Sequence, residues 1–299
     1  MINTIFYKYI QLEEREELKN KLYILCSSLK LKGTILLAEE GINGNLSGKE
    51  EKIQKFKITI KKDKRFRNLI FKDSKTEEHN FKKLSIKERK EIVSLKHKGE
   101  IRLEEKGDYI EAKELKKLLD EKEEVILIDA RNDYEYKIGK FKNAITLAIE
   151  NFRDIPKTIE SIKHLKTKKI VTYCTGGVRC EKFSTLLKRE GFKDVQQLHG
   201  GIIQYGIDCG SEYWEGKCFV FDTRRAIDID PKQQSSFISY CVYCQGPSAN
   251  YYNCENKECD VLFIACEECN KKEKNCCSKE CKEKISEKAP RLGFEPRYP

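Results

Sequence analysis

Within Tyr173-Cys174-Thr175-Gly176-Gly177-Val178-Arg179-Cys180-Glu181-Lys182, one thiol is placed where its chemistry can be tuned. The apolar run Ile170 to Tyr173 delivers Cys174 onto a loop with two glycines. A helical pattern follows, with Phe183, Leu186 and Leu187 at helix spacing and Gly191 as the stop. The thiol therefore sits at the end of a buried strand, facing backbone N–H groups of a helix N-terminus. Those groups and the helix dipole favour an anion, hence thiolate over thiol. A free cysteine titrates near ~8.5, and such sites lower that to roughly 3.5–7.5. A phosphatase loop needs five residues between cysteine and arginine to ring a tetrahedral oxyanion. Here four residues, Thr175, Gly176, Gly177 and Val178, make a tighter cradle suited to a single sulfur such as a persulfide. Arg179 is expected to project toward that anion as an electrostatic stabiliser. Cys180, one helical turn on, reads either as a second, resolving thiol or as a packed helix cysteine.

The other cysteines point to metal. Nine of the fourteen lie between 241 and 281: Cys241, Cys244, Cys254, Cys259, Cys266, Cys269, Cys276, Cys277 and Cys281. Two Cys-x2-Cys knuckles followed by further paired thiols match tetrahedral zinc, with an iron–sulfur cluster as the main rival. One ion takes four thiolates and two take eight, so at least one is left over, expected at Cys276 or Cys277. A segment this short and polar buries little core, and metal would supply most of its folding energy.

The elements that carry these groups fall into three segments. Residues 1–95 show the order β-α-β-β-α-β of a ferredoxin-like α+β unit, with strands near Thr4–Ile10, Thr34–Ala38, Ile42–Gly48 and Asn68–Lys72. Their helices are expected over Glu13–Lys30 and Lys49–Ile60. Lys82 to Gly107 reads as a charged connector with a short helix around Ile86–Leu95. Residues 108–210 alternate strands and helices: Ala112–Leu119 is helical, while Val125–Ile128, Ile170–Tyr173 and Val195–Leu198 are short apolar strands. That alternation implies a parallel sheet covered by helices, with ligands beyond the carboxyl ends of the strands. Asp129, Arg131 and Cys174 fall at such ends. Residues 215–285 form the cysteine-rich module, and 286–299 a loose tail.

Charge is uneven. The chain carries +10, and residues 1–100 hold 24 Lys+Arg against 15 Asp+Glu. Lys52, Lys55, Lys57, Lys61, Lys62, Lys64, Arg65 and Arg67 form a basic edge. This excess suits a polyanion such as RNA, although lysine-rich surfaces also arise without a ligand. No run is apolar enough to span a bilayer and no secretory signal is apparent, so a cytoplasmic location, with reduced thiols, is expected. Neither a dinucleotide fingerprint nor a 2-His-1-carboxylate pattern appears, which gives flavin, NAD and non-haem iron no support.

Strand-Cys-x4-Arg-helix, Asp129-x-Arg131, Tyr134-Glu135 with Gly139, and His199-Gly200-Gly201 together resemble a rhodanese domain, which carries sulfane sulfur as a cysteine persulfide. Gly139-Lys140-Phe141 stands where many rhodaneses have Gly-His-Ile. Adding Glu40-Gly41-Ile42-Asn43 with Ser47-Gly48, and Phe219-Val220-Phe221-Asp222-x-Arg224, the chain resembles the rhodanese-domain tRNA uridine 5-hydroxylases over about residues 1–285. The resemblance implies oxidation of the wobble uridine in the tRNA anticodon loop to 5-hydroxyuridine, with molecular oxygen as co-substrate. It makes Cys174 the essential thiol, with Arg179, Arg131 and Asp129 around it. Asp129 is expected to anchor Arg131 and the loop rather than act as a base, and His199 to border a turn rather than transfer a proton. The alternatives are a sulfurtransferase that passes persulfide from Cys174 to an acceptor, and a non-catalytic zinc-bearing RNA adaptor.

Overall fold

Leu18, Leu22 and Cys26 recur at helix spacing on α1 (Arg15–Ser28), and Ile53, Phe56 and Ile60 do so on α2 (Glu50–Ile60). Both stripes bury against one face of a sheet made by β1 (Ile2–Tyr9), β2 (Lys32–Ala38), β3 (Gly41–Gly48), β4 (Phe71–Lys75) and β5 (Leu84–Glu88). Alternating residues supply that face: Phe6 from β1, Ile35 and Leu37 from β2, Ile42 and Leu46 from β3. The strand order is β4-β1-β3-β2-β5. The first six elements are the expected β-α-β-β-α-β series. The computed structural model describes residues 1–95 and 103–286, which divide into two compact units, Met1–Lys98 and Gly99–Pro299.

The expected helix over 86–95 is not formed. Leu84–Glu88 is instead a fifth strand, parallel to β2 with Ile35 opposite Ile86. Lys87, Glu88, Arg89 and Lys90 are good helix formers, but pairing with an open sheet edge overrides that weak local preference. The fourth strand also starts later than expected, at Phe71, because Leu69 is drawn into the core from the preceding turn.

In the second unit, β6 (Asp108–Ile110), α3 (Ala112–Asp120), β7 (Ile126–Asp129), α4 (Asp133–Tyr136), β8 (Gly139–Phe141), β9 (Ile145–Thr146), α5 (Ile159–Ile162), β10 (Lys169–Tyr173), α6 (Val178–Arg189), β11 (Asp194–Leu198) and α7 (Gly201–Cys209) follow in turn. The sheet order is β6-β11-β10-β7-β9, parallel throughout. The three strands legible in the sequence are its centre. The two outer strands are too short to leave a pattern. β12 (Trp214–Gly216) pairs antiparallel with β8, and β13 (Cys218–Phe219) with β14 (Ala226–Ile227). A last pair, β15 (Tyr251–Asn253) and β16 (Leu262–Ile264), precedes α8 (Glu267–Lys272) and α9 (Lys279–Ser286).

The cysteine-rich end is not tethered by a bare connector. Phe219 stacks on Tyr251 at 4.3 Å, and the Tyr251 hydroxyl donates to the Val220 carbonyl at 3.1 Å. Together with Ile138 and Ala249 they form a small core shared with the parallel-sheet part. The region expected as a tail, from 287 onward, lies outside the described residues. No helix among the described residues is long and apolar enough to cross a membrane.

One aromatic cluster fixes the end of β10, where the loop begins. Phe141 meets Tyr173, Tyr205 and Trp214 edge-on, at centroid distances of 4.9, 4.8 and 5.3 Å. Phe141→Ala should therefore cost about 3–5 kcal/mol in a urea unfolding series, whereas a loss below ~1 kcal/mol would mean the cluster is not a keystone.

Candidate active site and cysteine clusters

Cys174 lies one residue past β10, fully buried, and the turn that follows points backbone N–H groups at its sulfur. Gly177, the residue before α6, has φ +99°, a conformation open to glycine but strained for side-chain-bearing residues. That bend brings its N–H to 3.1 Å from Cys174 Sγ. The loop is braced from behind by α7. Ile202 and Ile203 donate N–H groups to the carbonyls of Cys174 and Thr175 at 3.0 and 3.2 Å. Gly201 (φ +67°) makes this approach close: a Cβ there would stand 2.4 Å from the Cys174 carbonyl. The His199-Gly200-Gly201 turn is thus a buttress for the thiol loop, a role its sequence did not disclose.

Burial alone would raise the Cys174 thiol. It is outweighed by a hydrogen bond from Cys180, the Arg179 charge, and the N–H groups of Arg179 and Gly177, so the thiol is held well below its ordinary range. Cys180 is shifted the other way, by burial and by its neighbouring thiolate. The pair therefore holds one negative charge, on Cys174, with the remaining proton on Cys180.

Arg179 does not reach out to an anion as expected. Its guanidinium makes a two-pronged pair with Glu135, Nη1 to Oε1 and Nη2 to Oε2, the second at 2.8 Å. Thr175 Oγ1 lies 3.4 Å from Nη2. Glu135, fully buried, also accepts the Asn132 N–H at 3.1 Å as part of the cap of α4. It is the site residue whose task the sequence reading missed; the signal was the Asn132-x-x-Glu135 spacing of a capping box. On its far side Arg179 lies 5.9 Å from the Phe221 ring. Arg179 thus acts on the sulfur through its field and its backbone N–H.

Asp129 and Arg131 are brought to the same end of the sheet, both fully buried. Asp129 takes the Arg131 N–H and Nε at 3.0 and 2.9 Å, and Nη2 at 2.6 Å. Arg131 Nη2 continues to the Gly139 carbonyl at 2.7 Å. The carboxylate is spent on this clamp, which fits an anchor rather than a base. His199 is turned elsewhere: Nδ1 meets Glu111 at 2.7 Å and the ring lies tilted against Tyr109.

Eight of the nine C-terminal thiols gather into two groups of four, Cys241, Cys244, Cys266, Cys269 and Cys254, Cys259, Cys277, Cys281. Within each, all four sulfurs lie within 4.8 Å of one another. Individual separations are 3.9 Å (Cys244–Cys266), 3.6 Å (Cys259–Cys277) and 3.8 Å (Cys277–Cys281). Four sulfurs at about 2.3 Å from one tetrahedral ion stand about 3.8 Å apart, so each group fits a single ion. Ligands of a multinuclear iron–sulfur cluster sit on different irons and must spread wider. Of the two thiols from which a spare was expected, Cys277 joins a group and Cys276 stands outside both, with its thiol toward the Lys274 carbonyl at 3.6 Å. The pairs interleave: first with third, second with fourth.

A parallel sheet that ends in a buttressed, anion-stabilising cysteine loop defines a rhodanese-like domain, and the family model of that description matches residues 111–207. Two more models flank it, a UPF0176 acylphosphatase-like domain over residues 1–92 and a rhodanese C-terminal domain over 215–282. A rhodanese-like domain protein from Staphylococcus aureus is similar at 30% identity and TM-score 0.30, covering 33% of this chain and 91% of that one. Along nearly the whole length, the chain is 42% identical to the tRNA uridine(34) hydroxylase of Cytophaga hutchinsonii (93% of this chain, 88% of that protein). It is 43% identical to that of Bacillus cytotoxicus (93% and 86%). The chain belongs to the tRNA uridine(34) hydroxylase family.

Because the Cys174 thiol is lowered, its alkylation by iodoacetamide, mapped by mass spectrometry, should show an inflection well below the ~8.5 of a free thiol. Cys180→Ala removes a donor and should move that inflection up. The linked stability is present above the unfolded thiol's value and is lost as pH falls through the lowered one. An inflection at or above ~8.5 in the wild type would overturn the thiolate assignment.

Proposed function

We infer that the chain is a tRNA-modifying enzyme that hydroxylates uridine 34, the wobble position, with Cys174 as the reacting group. The near-full-length kinship to named hydroxylases carries the reaction class, and the lowered, buttressed thiol supplies the chemistry. The thiolate adds to C6 of the uracil ring, which makes C5 nucleophilic. Dioxygen, taking two electrons and two protons from an external two-electron reductant, gives one oxygen atom to C5 and releases the other as water. Loss of the C5 proton and of the thiolate returns 5-hydroxyuridine and free enzyme. The Cys180 proton is placed to accompany the sulfur as it enters and leaves. Arg179, fixed by Glu135, favours the anion throughout, and Asp129 with Arg131 holds the sheet end.

Cys174 Sγ is shielded from solvent, while Thr175, Gly176 and Val178 are half-buried. The uracil ring must therefore leave its stack and pass this rim, which an anticodon loop allows more cheaply than a duplex. Persulfide transfer, which the loop alone also suits, is not favoured by the relatives. We read three working parts: 1–95 for tRNA, 108–210 for chemistry and 215–285 for support. The two cysteine groups hold zinc, since all-thiolate tetrahedral sites without an open position suit structural zinc. Reduced thiols and a tRNA substrate both fit the cytoplasm.

Two measurements test this reading. Nucleoside mass spectrometry of tRNA incubated with the enzyme should show 5-hydroxyuridine under air, little under argon and none with Cys174→Ala. Unchanged uridine in all arms would end the proposal. Elemental analysis should give two zinc ions per chain, still two in Cys276→Ser and fewer in Cys266→Ser. Chelation should melt the C-terminal module, and a module that keeps its fold without metal would contradict the structural role.

A further inference from the structure

Several exposed cations of the second unit are matched by acids. Lys117, Lys137, Lys157, Lys163, Lys168 and Arg189 each lie within ion-pair distance of a carboxylate. From α2 to β4, three of the four carboxylates are taken up by neighbouring cations: Asp73 by Lys57, Asp63 by Arg65 at 2.6 Å, and Glu51 by Lys52 at 3.7 Å. That leaves Lys55, Lys61, Lys62, Lys64 and Arg67, all exposed, with no carboxylate at ion-pair distance among the described residues. Their carrier is rigid. Ile53, Phe56 and Ile60 anchor α2 in the core, and Phe66 and Leu69 anchor the turn that follows. The basic edge seen in the sequence thus divides into cations that hold the fold and cations that face outward unmatched.

We propose that these five side chains form a phosphate-binding ridge that holds the tRNA backbone while the loop thiol works on the base. The identity of the RNA rests on the function inferred above; the ridge itself rests on five exposed, unmatched cations gathered within residues 55–67. Unmatched like charges crowded into one short, core-anchored segment repel, and a polyanion relieves that repulsion while releasing its own counterions. Four of the five are lysines, point charges without the planar fork that reads a base edge, so the ridge positions RNA and does not select sequence. The exposed Ile58 and Ile70 on the same segment add apolar surface that a sugar edge can cover.

The test is binding of an unmodified tRNA transcript with uridine at position 34, followed across salt by fluorescence anisotropy. The triple variant Lys55→Gln/Lys62→Gln/Arg67→Gln removes three phosphate contacts. Its affinity loss between about 50 and 200 mM salt should shrink by roughly 20- to 40-fold relative to wild type. The control triple Lys117→Gln/Lys163→Gln/Lys168→Gln, all exposed and ion-paired, should leave that loss unchanged. Equal thermal melts for both variants establish that the fold is intact. A ridge variant with the wild-type salt dependence, or a control that falls as far, overturns the proposal. Binding is read without turnover, so a ridge effect with no hydroxylated product would sink the function above and leave the ridge standing.

Discussion

The buried Glu135–Arg179 pair is the constraint around which this molecule is arranged. Removing one partner of such a pair typically costs 3–5 kcal/mol, because the other charge is left uncompensated away from water. Here the partners come from α4, which follows β7, and from the first turn of α6, so the pair ties two strand ends together. Glu135 is doubly committed, to the guanidinium and to the backbone at Asn132. The guanidinium is therefore held beside the thiolate without bonding to it. A cation fixed at that remove lowers the energy of the anion in every state of the sulfur, and its own hydrogen bonds need not be rebuilt as the sulfur reacts.

The same chain uses one local device three times to stiffen a turn. Asp63-Lys64-Arg65, Asp129-Ala130-Arg131 and Asp222-Thr223-Arg224 each fold so that the carboxylate takes the arginine's own N–H, its Nε and its Nη2. Because the partners are two residues apart, closing this loop costs little chain entropy. Only the middle copy is fully enclosed, and it is the one beneath the thiol loop. The copy at Asp222 follows Phe219 and Phe221, which bind the cysteine-rich module to the sheet and back Arg179.

Much of this was legible in the sequence where the physics is local. Period-2 and period-3.6 stripes located α1, α2 and the three central parallel strands, and the Cys174 loop declared its strand-to-helix turn. The misread region, Leu84–Glu88, owes its strand to a neighbour fifty residues earlier, and no window around it contains that information. Arg179 was placed near the sulfur by spacing, yet its partner depended on Glu135, forty-four residues away. The grouping of thiols was hidden for a related reason: Cys-x2-Cys spacing marks half-sites, and only the fold decides which halves meet.

That grouping has a consequence for how the protein is made. Because the first pair of thiols waits for the third and the second for the fourth, neither quartet can close on a short nascent segment. The first closes only once Cys269 has left the ribosome, and the second only with Cys281. A chain cut short between these two points would hold one complete quartet of thiols, and one cut short before Cys269 would hold none.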